Sequence, residues 1–496
     1  MKKSIFRTIG LGLVLGSLAF LTDILIARDP SSAIERFRAD APAAPQTLES
    51  VASTPGWART VQVSLGGNDC AYNQGHAVQP TSDGGLIVAG IGGFDQASWE
   101  GEDLAVMKLR RSGKVAWQLG YDPFTGETYN VGRSLVRTTD GGYLVAGWTG
   151  EAWDMFGDAF AMKLAGNGQV KWFKTYGGGA NDHAYSAQAT GDGGYIIAGN
   201  TESFSSVGTD AWILKLNALG NIVWQKAIGG QADECLYSIR GMPDGGYIAV
   251  GAFQNWPTSQ AWVIRIGHSG VVKWQKVYGD ASSSWDEARS ICPTGDGGYL
   301  VAGSKGARDP NGSGLLWSDI WVWKLDRSGN IIWQKAYRGS AVSQGTTVLP
   351  ARGGGFLVIG SNLALRLGPT GDLLWQKIFG EQTGGGCSFD GAFRADNGNF
   401  VLTGSMAKSM LVVSLDPSGS GGSSCPLIQD ASVIVSETSA LPTPTSFSSR
   451  FTSAIATKIV YHPLSMSSQV GTVCDFLPQE IPGTSLGSGE YIFVAE

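Results

Sequence analysis

Short apolar runs separated by glycine-rich turns recur along most of the chain. The clearest run is Tyr195–Ala198, which follows the turn Asp192-Gly193-Gly194. Further copies of this turn and run, some of them looser, begin at positions 83, 140, 244, 296, 354 and 397. The middle copies are 52 residues apart. A fixed period of this size is typical of a repeat fold.

Each repeat contains four pieces that the pattern predicts to be β-strands. In one repeat these pieces are residues 184–190, 195–198, 210–216 and 222–228. Gly, Asn and Asp residues stand between them, as in the turns of an antiparallel meander. Helical periodicity is sustained nowhere in this region. Four short strands per repeat are typical of a β-propeller blade.

The first and last pieces of the repeated region predict how the ring closes. Each fourth piece carries a tryptophan, at positions 57, 117, 172, 224, 274, 333 and 375. The series begins with a fourth strand at Trp57 and ends with a third strand at 410–415. A clasp in which the first strand completes the last blade would remove two open edges. We therefore predict an all-β fold over residues 57–419, a seven-bladed β-propeller of four-stranded antiparallel blades with clasp closure.

The repeat resembles known propeller families. Its order of inner strand, Asp-Gly turn, second strand and a third strand opened by Asp is similar to that of WD-repeat propellers. The segment from Gly329 to Trp333 resembles the Gly-x-x-x-Trp segment of pyrroloquinoline-quinone-type propellers. The whole repeat resembles secreted prokaryotic β-propeller proteins built from D-G-G-Y-I-V-A-G repeats. The resemblance covers residues 57–419, implies the fold, and carries over no catalytic residue.

Residues that recur in most repeats are expected to serve the structure, because one active site does not need seven copies. The Asp-Gly-Gly turns supply positive φ angles, and the tryptophans are expected to pack blade on blade. Serines at positions 134, 186, 238 and 290 share a place on the innermost strand and are expected to allow close packing near the axis. A cation two residues after most of the tryptophans is expected to protect an exposed outer edge.

The residues outside the repeats predict export and a tail. Residues 1–27 combine a basic start with an apolar run from Ile9 to Leu21, which predicts a signal peptide or an uncleaved signal anchor. Polar residues 28–56 are expected to form a linker, and residues 420–496, rich in Ser, Thr and Pro, a small β-rich C-terminal appendage. We expect an extracytoplasmic protein that is secreted, periplasmic or on the cell surface, with membrane contact only through the anchor.

Charge and composition argue against several functions. The 496 residues carry a formal net charge of −6 without a basic run, so nucleic acid is not an expected partner. The four histidines show no ligand spacing, and the six cysteines contain no C-x-x-C pair. We therefore expect no metal site and no cofactor.

The cysteines predict two disulfide bonds in an oxidising compartment. Cys425 and Cys474 bracket most of the tail and are expected to pair. Cys70 and Cys387 lie in the first and last blades, which adjoin at the seam, so a bond between them would lock the ring. The remaining two, at positions 235 and 292, are offset on neighbouring inner strands and are expected to be buried thiols.

The parts that differ between repeats are loops on one face, and function is expected there. The long connections between second and third strands are aromatic and acidic, and their candidate ligand-binding residues are Trp99, Trp148, Trp153, Phe204, Trp256 and Trp317. Such a face could bind carbohydrate through ring stacking or protein through aromatic anchors. The alternative is that these rings fold back and cover the tops of the blades.

No carboxylate pair stands out as catalytic among the many acidic residues, so no catalytic residue is assigned. We expect an exported, non-enzymatic binding or scaffold module that takes a carbohydrate or protein ligand on its loop face. The alternative is an extracytoplasmic hydrolase or lyase that acts on polysaccharide.

Overall fold

The computed structural model describes residues 57–65, 72–94, 103–111, 113–122, 128–151, 157–255, 258–279, 285–308, 315–338, 344–380, 387–406, 409–420 and seven short segments between 428 and 474. Every regular element in these ranges is a β-strand. Within them no helix is long and apolar enough to cross a membrane. The predicted signal or anchor at 1–27 and the predicted linker at 28–56 lie outside the described residues.

Seven antiparallel sheets, counted over the described residues, form the blades of a β-propeller. From the innermost strand outward, blade 1 is β2 (Tyr72–Pro80), β3 (Leu86–Phe94), β4 (Asp103–Leu109) and β5 (Val115–Asp122). Blade 2 is β6 (Thr128–Arg137), β7 (Tyr143–Glu151), β8 (Gly157–Leu164) and β9 (Val170–Gly177). Blade 3 is β10 (Asp182–Ala189), β11 (Tyr195–Thr201), β12 (Asp210–Leu216) and β13 (Ile222–Gly229). Blade 4 is β14 (Asp233–Gly241), β15 (Tyr247–Asn255), β16 (Thr258–Ile266) and β17 (Val272–Tyr278).

The remaining blades follow the same order. Blade 5 is β18 (Glu287–Pro293), β19 (Tyr299–Arg308), β20 (Leu315–Leu325) and β21 (Ile331–Arg338). Blade 6 is β22 (Gly345–Pro350), β23 (Phe356–Gly360), β24 (Leu363–Leu367) and β25 (Leu373–Phe379). Blade 7 is β26 (Cys387–Arg394), β27 (Phe400–Met406), β28 (Ser409–Leu415) and, from the start of the chain, β1 (Trp57–Leu65).

The ring closes by the predicted clasp. Strand β1 pairs antiparallel with β28, with Trp57 opposite Ser414 and Val61 opposite Met410. The first repeated strand therefore completes the last blade. The prediction of a seven-bladed all-β propeller with clasp closure is confirmed.

The C-terminal residues add a fifth strand to every blade. We call these strands the belt: β29 (Ile428–Asp430), β30 (Ile434–Glu437), β31 (Thr443–Pro444), β32 (Ser448–Phe451), β33 (Ile455–Lys458), β34 (His462–Leu464) and β35 (Met466–Cys474). They pair in turn with the outer strands of blades 6, 5, 4, 3, 2, 1 and 7. The belt thus runs round the ring against the order of the blades and ends on the clasp strand. The sequence predicts β-strands in this tail but not where they lie.

The belt corrects the expectation that the outer strands are exposed edges. Lys276 lies opposite Pro444 of β31, and other outer-strand cations occupy equivalent places beside the belt. These cations form hydrogen bonds with the neighbouring blade. For example, Lys276 Nζ donates to Asn330 Oδ1 at 2.9 Å. The cations therefore bridge blades, and the belt covers the edges.

Most of the apolar core lies between neighbouring blades. The second and third strands are buried on both faces, and every residue of β11 and β12 is buried. Between blades 3 and 4, Ile196 and Ile213 pack in one cluster with Ile239 and Trp262. Because each blade buries both faces against its neighbours, none has a core of its own.

The glycines of the Asp-Gly-Gly turn have different structural tasks. Gly193 adopts a φ of +78°, which side-chain-bearing residues rarely take. A Cβ on Gly194 would overlap the carbonyl oxygen of Leu216, so this glycine permits a close approach of the third strand. The Asp192 carboxylate accepts hydrogen bonds from the Gly194 N–H at 3.0 Å and from Lys215 Nζ at 2.8 Å. The motif is therefore a structural turn, as its repetition predicts.

The ion pair of this turn recurs between the aspartate and a cation of the third strand. The pairs are Asp83–Lys108, Asp140–Lys163, Asp192–Lys215, Asp244–Arg265 and Asp296–Lys324. The Lys215 side chain is 2% exposed and that of Asp192 53%, so a buried cation reaches a half-exposed carboxylate. Blade 7 has Asn397 in place of the aspartate and Ser414 in place of the cation, so both members of the ion pair are replaced. The sequence reasoning missed these pairs, although the matched positions of Asp and Lys were visible.

Each described outer-strand tryptophan packs on the next blade. A Cβ on Gly220 of blade 3 would lie 2.8 Å from the Trp172 ring of blade 2. On the same strand, the Tyr176 hydroxyl donates to the Gly220 carbonyl at 2.8 Å. The other joints of this kind are Trp117–Gly168, Trp224–Gly270, Trp274–Gly329, Trp333–Gly371 and Trp375–Gly419. The prediction that the tryptophans pack blade on blade is confirmed.

The repeated serines of the innermost strands also join blades. The N–H of Ala187 donates to Ser134 Oγ at 3.0 Å, and that of Ile239 to Ser186 Oγ at 3.2 Å. Each bond links the innermost strands of two successive blades. The expected close packing near the axis is therefore achieved by hydrogen bonds as well as by small size.

Candidate functional site: the axial ring

Every innermost strand has a β-bulge at the same place. In blade 3 the pairing register shifts between Ala184 and Ser186, which leaves Tyr185 outside the ladder. The equivalent residues form what we call the axial ring: His76, Arg133, Tyr185, Tyr237, Arg289, Thr346 and Asp390. The innermost strands surround the axis, so one such side chain per blade faces its neighbours there. This position varies from blade to blade, in contrast to the repeated turns and the tryptophan–glycine joints.

One arc of the axial ring is ionic. His76 Nδ1 lies 3.1 Å from Asp390 Oδ2 and 3.3 Å from Arg133 Nη1. Gln74 donates a further hydrogen bond to Asp390. His76 is 5% exposed, and burial, followed by the charge of Arg133, lowers its pKa despite the opposing effect of Asp390. The imidazole is therefore neutral at pH 7.

The opposite arc is aromatic. The rings of Tyr185 and Tyr237 meet edge to face at 5.5 Å, and the Arg289 guanidinium lies 4.0 Å from the centre of the Tyr237 ring. Arg289 Nη2 also forms a 2.5 Å ion pair with Glu287, which accepts a 3.1 Å hydrogen bond from Trp285 Nε1. This chain of contacts connects the axial ring to a loop aromatic residue.

Trp148, one of the predicted ligand-binding residues, reaches the axial ring through His183. The Trp148 and His183 rings lie 4.9 Å apart, and the Tyr185 ring lies 6.1 Å from that of His183. Burial, and then the charge of Arg133, lower the pKa of His183 to about 4. Trp148 is partly exposed, so it offers an aromatic surface beside an uncharged histidine.

Among the other predicted aromatic residues, Phe204 has a described side chain. Phe204 packs against the buried Trp212 at 5.6 Å, so its ring covers the top of blade 3. Trp99, Trp153 and Trp256 lie outside the described residues. Trp317 belongs to β20, where its backbone pairs with Ala307, and its side chain lies outside the described part.

Two carboxyl groups share a site on the loop face, which we define as the face opposite the Asp-Gly-Gly turns. Asp158 and Asp182 lie so close to Gly177 that a Cβ there would collide with both. Burial, and then the charge of Asp182, raise the pKa of Asp158 to about 6. Asp210 and Glu234 flank Gly229 in the same way one blade further on, which favours a structural origin for the arrangement.

Three cysteines of the described residues are free thiols. Cys387 is a free thiol in the apolar cluster between blades 6 and 7, near Phe379 and Phe389, and burial raises its pKa to about 11. The seam disulfide with Cys70 stays a prediction, because Cys70 lies outside the described ranges. Cys292 is a buried free thiol as predicted, and Cys235 is a free thiol that is partly buried. The Cys425–Cys474 bond stays a prediction because Cys425 lies outside the described residues.

Among the residues that the structure describes, no group of three or more His, Cys, Asp or Glu side chains could hold a metal ion. The axial ring, in contrast, offers hydrogen-bond donors and aromatic surfaces. Sequence reasoning placed function in the loops and missed this ring. The residue before each repeated serine varies, but so do other positions of the innermost strands, so the sequence alone does not single it out.

Comparison with known proteins finds distant similarity to solved structures and gives no closer relationship. No family model matches it, and no curated protein matches it. Among solved structures, the WD40 domain of Neurospora crassa Pan2 is 12% identical, with a TM-score of 0.44 over 68% of this chain and 88% of that one. Chaetomium thermophilum Sqt1 is 13% identical, with a TM-score of 0.41 over 72% of this chain and 97% of its own. A variant of Synechocystis apocarotenoid oxygenase is 12% identical, with a TM-score of 0.42 over 77% and 96%.

These similarities concern the architecture, and the fold assignment rests on the strand pairing described above. The resemblance of the repeat to secreted prokaryotic D-G-G-Y-I-V-A-G proteins remains at the level of the motif.

Proposed function

We propose that the chain is an exported, non-enzymatic binding module whose ligand engages the loop face at the axis. The observation that carries this proposal is the variation of the axial ring. Seven equivalent positions hold His, Arg, Tyr, Thr and Asp side chains, whereas the turns, joints and core of the blades repeat. A position that varies on a constant scaffold is the expected place for specific recognition.

The residue types favour a protein segment as the ligand. Tyr, Trp and Arg dominate the energetic centres of protein interfaces, and Tyr185, Tyr237, Arg289 and Trp148 form a linked set here. Their side chains are already held by mutual contacts, which lowers the entropy cost of binding. Carbohydrate remains the other ligand class, because the same rings could stack on sugars.

Parallel screening of the full chain against a displayed peptide library and a glycan array tests this proposal. We expect peptides to be selected, and we expect Trp148→Ala and Tyr185→Ala to weaken their binding at least about tenfold. Leu374→Ala is the matched control, since this side chain is 59% exposed on an outer strand far from the axis. Selection of glycans alone would contradict a protein ligand, and selection of neither would contradict the binding proposal.

The alternative of a polysaccharide hydrolase or lyase has one structural candidate, the Asp158–Asp182 pair. A raised carboxyl pKa beside a second carboxylate is a feature of glycosidase acids. Its near-repetition as Asp210 and Glu234 argues against a unique catalytic pair. Loss of polysaccharide cleavage in Asp158→Asn, with binding retained, would favour the enzyme instead.

A further inference from the structure

The axial ring contains a cation that makes no direct ion pair, although its charge acts on Asp390 on the other side of His76. Arg133 is partly buried, and its one hydrogen-bond contact among the described residues is the 3.3 Å approach to His76 Nδ1. It forms no ion pair with a described carboxylate within 4 Å, and its buried Nε atom has no acceptor. Charged groups at such positions are normally paired, because removal from water is costly. Arg289, in contrast, is paired with Glu287.

His76 cannot relieve this shortage of acceptors. A neutral imidazole has one donor and one acceptor nitrogen, and Nδ1 faces both Asp390 and Arg133. If His76 Nδ1 accepted a hydrogen bond from Arg133, it would carry no proton and could not donate a hydrogen bond to Asp390. The tautomer that satisfies Asp390 carries its proton on Nδ1. In that tautomer the Arg133 guanidinium has no acceptor among the described residues, and the buried His76 Nε2 atom is also unpartnered.

The surrounding charges limit which anion could fill the site. On the described part of the loop face Glu202 and Asp233 are exposed and Asp158 is partly buried, whereas Asp182, Asp210, Glu234 and Asp286 are buried. The exposed carboxylates disfavour a polyanion and favour a ligand with cationic flanks. A single carboxylate carried by an otherwise neutral or basic segment meets both conditions. Guanidinium groups bind carboxylates through two parallel hydrogen bonds.

We propose that Arg133 is the receptor for a ligand carboxylate, supplied by the C-terminus or an acidic side chain of a bound peptide. This inference rests on the proposed function and names the group that enters the axis. Binding transfers no proton and forms no covalent bond. The carboxylate replaces water around Arg133 and provides the acceptor that its N–H groups lack.

Titration of the full chain with sodium acetate, monitored by NMR of ¹³C-labelled histidine, tests the inference. The chain has four histidines: His76 and His183 lie near Arg133, while His268 is exposed on the opposite face. At constant ionic strength we expect acetate to shift the His76 and His183 resonances saturably and to leave His268 in place. Acetamide, which has the same shape but no charge, should not shift them.

Matched variants test whether acetate binds to Arg133 itself or responds only to the overall charge of the protein. Arg133→Gln should weaken acetate binding at least about tenfold, whereas Arg137→Gln should not, because this residue of the same strand is exposed on the opposite face. If Arg133→Gln fails to fold, Arg133→Lys keeps the charge without the paired donors, and weaker acetate binding is expected. Equal shifts by acetate and acetamide, no saturation, or unchanged affinity in a folded Arg133 variant would overturn the inference.

Two further ligands identify the source of the carboxylate. A peptide selected in the library screen should lose affinity when its carboxylates are amidated, and glucuronate should bind no better than acetate. Tight glucuronate binding together with indifference to amidation would overturn the peptide source. If peptides bind through Trp148 and Tyr185 while acetate does not bind, the inference fails and the proposed function stands.

Discussion

Two aspartates of neighbouring blades show how position in the blade decides the behaviour of a carboxyl group. Asp158 lies on the loop face, where burial and then Asp182 raise its pKa to about 6. Asp192 lies in a turn of the opposite face. Its burial also favours the neutral form, but hydrogen bonds from Lys215 and Thr190 outweigh this and lower its pKa. One residue type thus opposes folding in one place and supports it in another.

The same substitution at these residues should change stability in opposite directions at pH 7. A raised carboxyl pKa reduces native stability as pH rises from about 4 to 6, and a lowered pKa contributes stability that is lost as pH falls below about 4. We expect Asp158→Asn to stabilise the protein by about 1–2 kcal/mol at pH 7. Asp192→Asn should destabilise it by about 1–2 kcal/mol, because Lys215 loses its partner.

Denaturant unfolding at pH 7 and pH 4 measures both effects. At pH 4 the gain in Asp158→Asn should largely vanish, and the loss in Asp192→Asn should become smaller. Destabilisation of the protein by Asp158→Asn at pH 7 would show that the ionised Asp158–Asp182 pair is favourable as it stands.

At the scale of the element, the joint between blades is the unit that stabilises the ring. Gly220 adopts a φ of +73°, and a Cβ there would lie 2.8 Å from Trp172 of the preceding blade. Gly193 has nearly the same backbone angle, +78°, but a Cβ there would meet nothing within 4 Å. Substitution of either glycine therefore strains the backbone, but only at Gly220 would the new side chain also press on a tryptophan ring.

Alanine at these two glycines should separate strain from packing. We expect Gly193→Ala to cost about 1 kcal/mol, the penalty for placing an L-residue in a left-handed conformation. Gly220→Ala should cost about 1–3 kcal/mol more, because the Trp172 ring must move. Equal losses in thermal or denaturant unfolding would mean that the Trp–Gly joint is loose enough to absorb a methyl group.

The strands were predictable from sequence to a large degree, and the axial ring was not. Repetition places four short apolar pieces in every blade, and the position of Trp57 before the first complete blade predicts the clasp. The bulge at Tyr185 leaves no such pattern, because one extra residue changes neither composition nor hydrophobicity. Lys215 was likewise missed, since its burial depends on a carboxylate 23 residues earlier.

At the scale of the molecule, the belt contacts all seven blades. It adds antiparallel pairing to each outer strand and ends with β35 on the clasp strand. Most of its strands are short, and the sequence separation of the paired residues ranges from 49 (Phe379 and Ile428) to 416 (Ala58 and Cys474). For that reason the tail composition indicates β-structure but does not indicate the rim as its location.

Removal of the belt should expose the outer edges of all blades. We expect a chain truncated after Ser420 to unfold at lower temperature and to self-associate through the free edges. Deletion of residues 475–496 alone, which leaves every belt strand in place, is the matched control. Calorimetry and light scattering measure both properties. An unchanged melting temperature and a monomeric truncated chain would contradict a role for the belt in closure.

The central claim is that recognition takes place at the axial ring on the loop face. Hydrogen–deuterium exchange of the full chain, with and without a peptide selected in the library screen, tests it most directly. We predict that the peptide slows exchange in the innermost strands at 128–137, 182–189 and 233–241, and leaves the belt and the Asp-Gly-Gly turns unchanged. Slower exchange confined to the belt or to those turns, with the innermost strands unaffected, would contradict it.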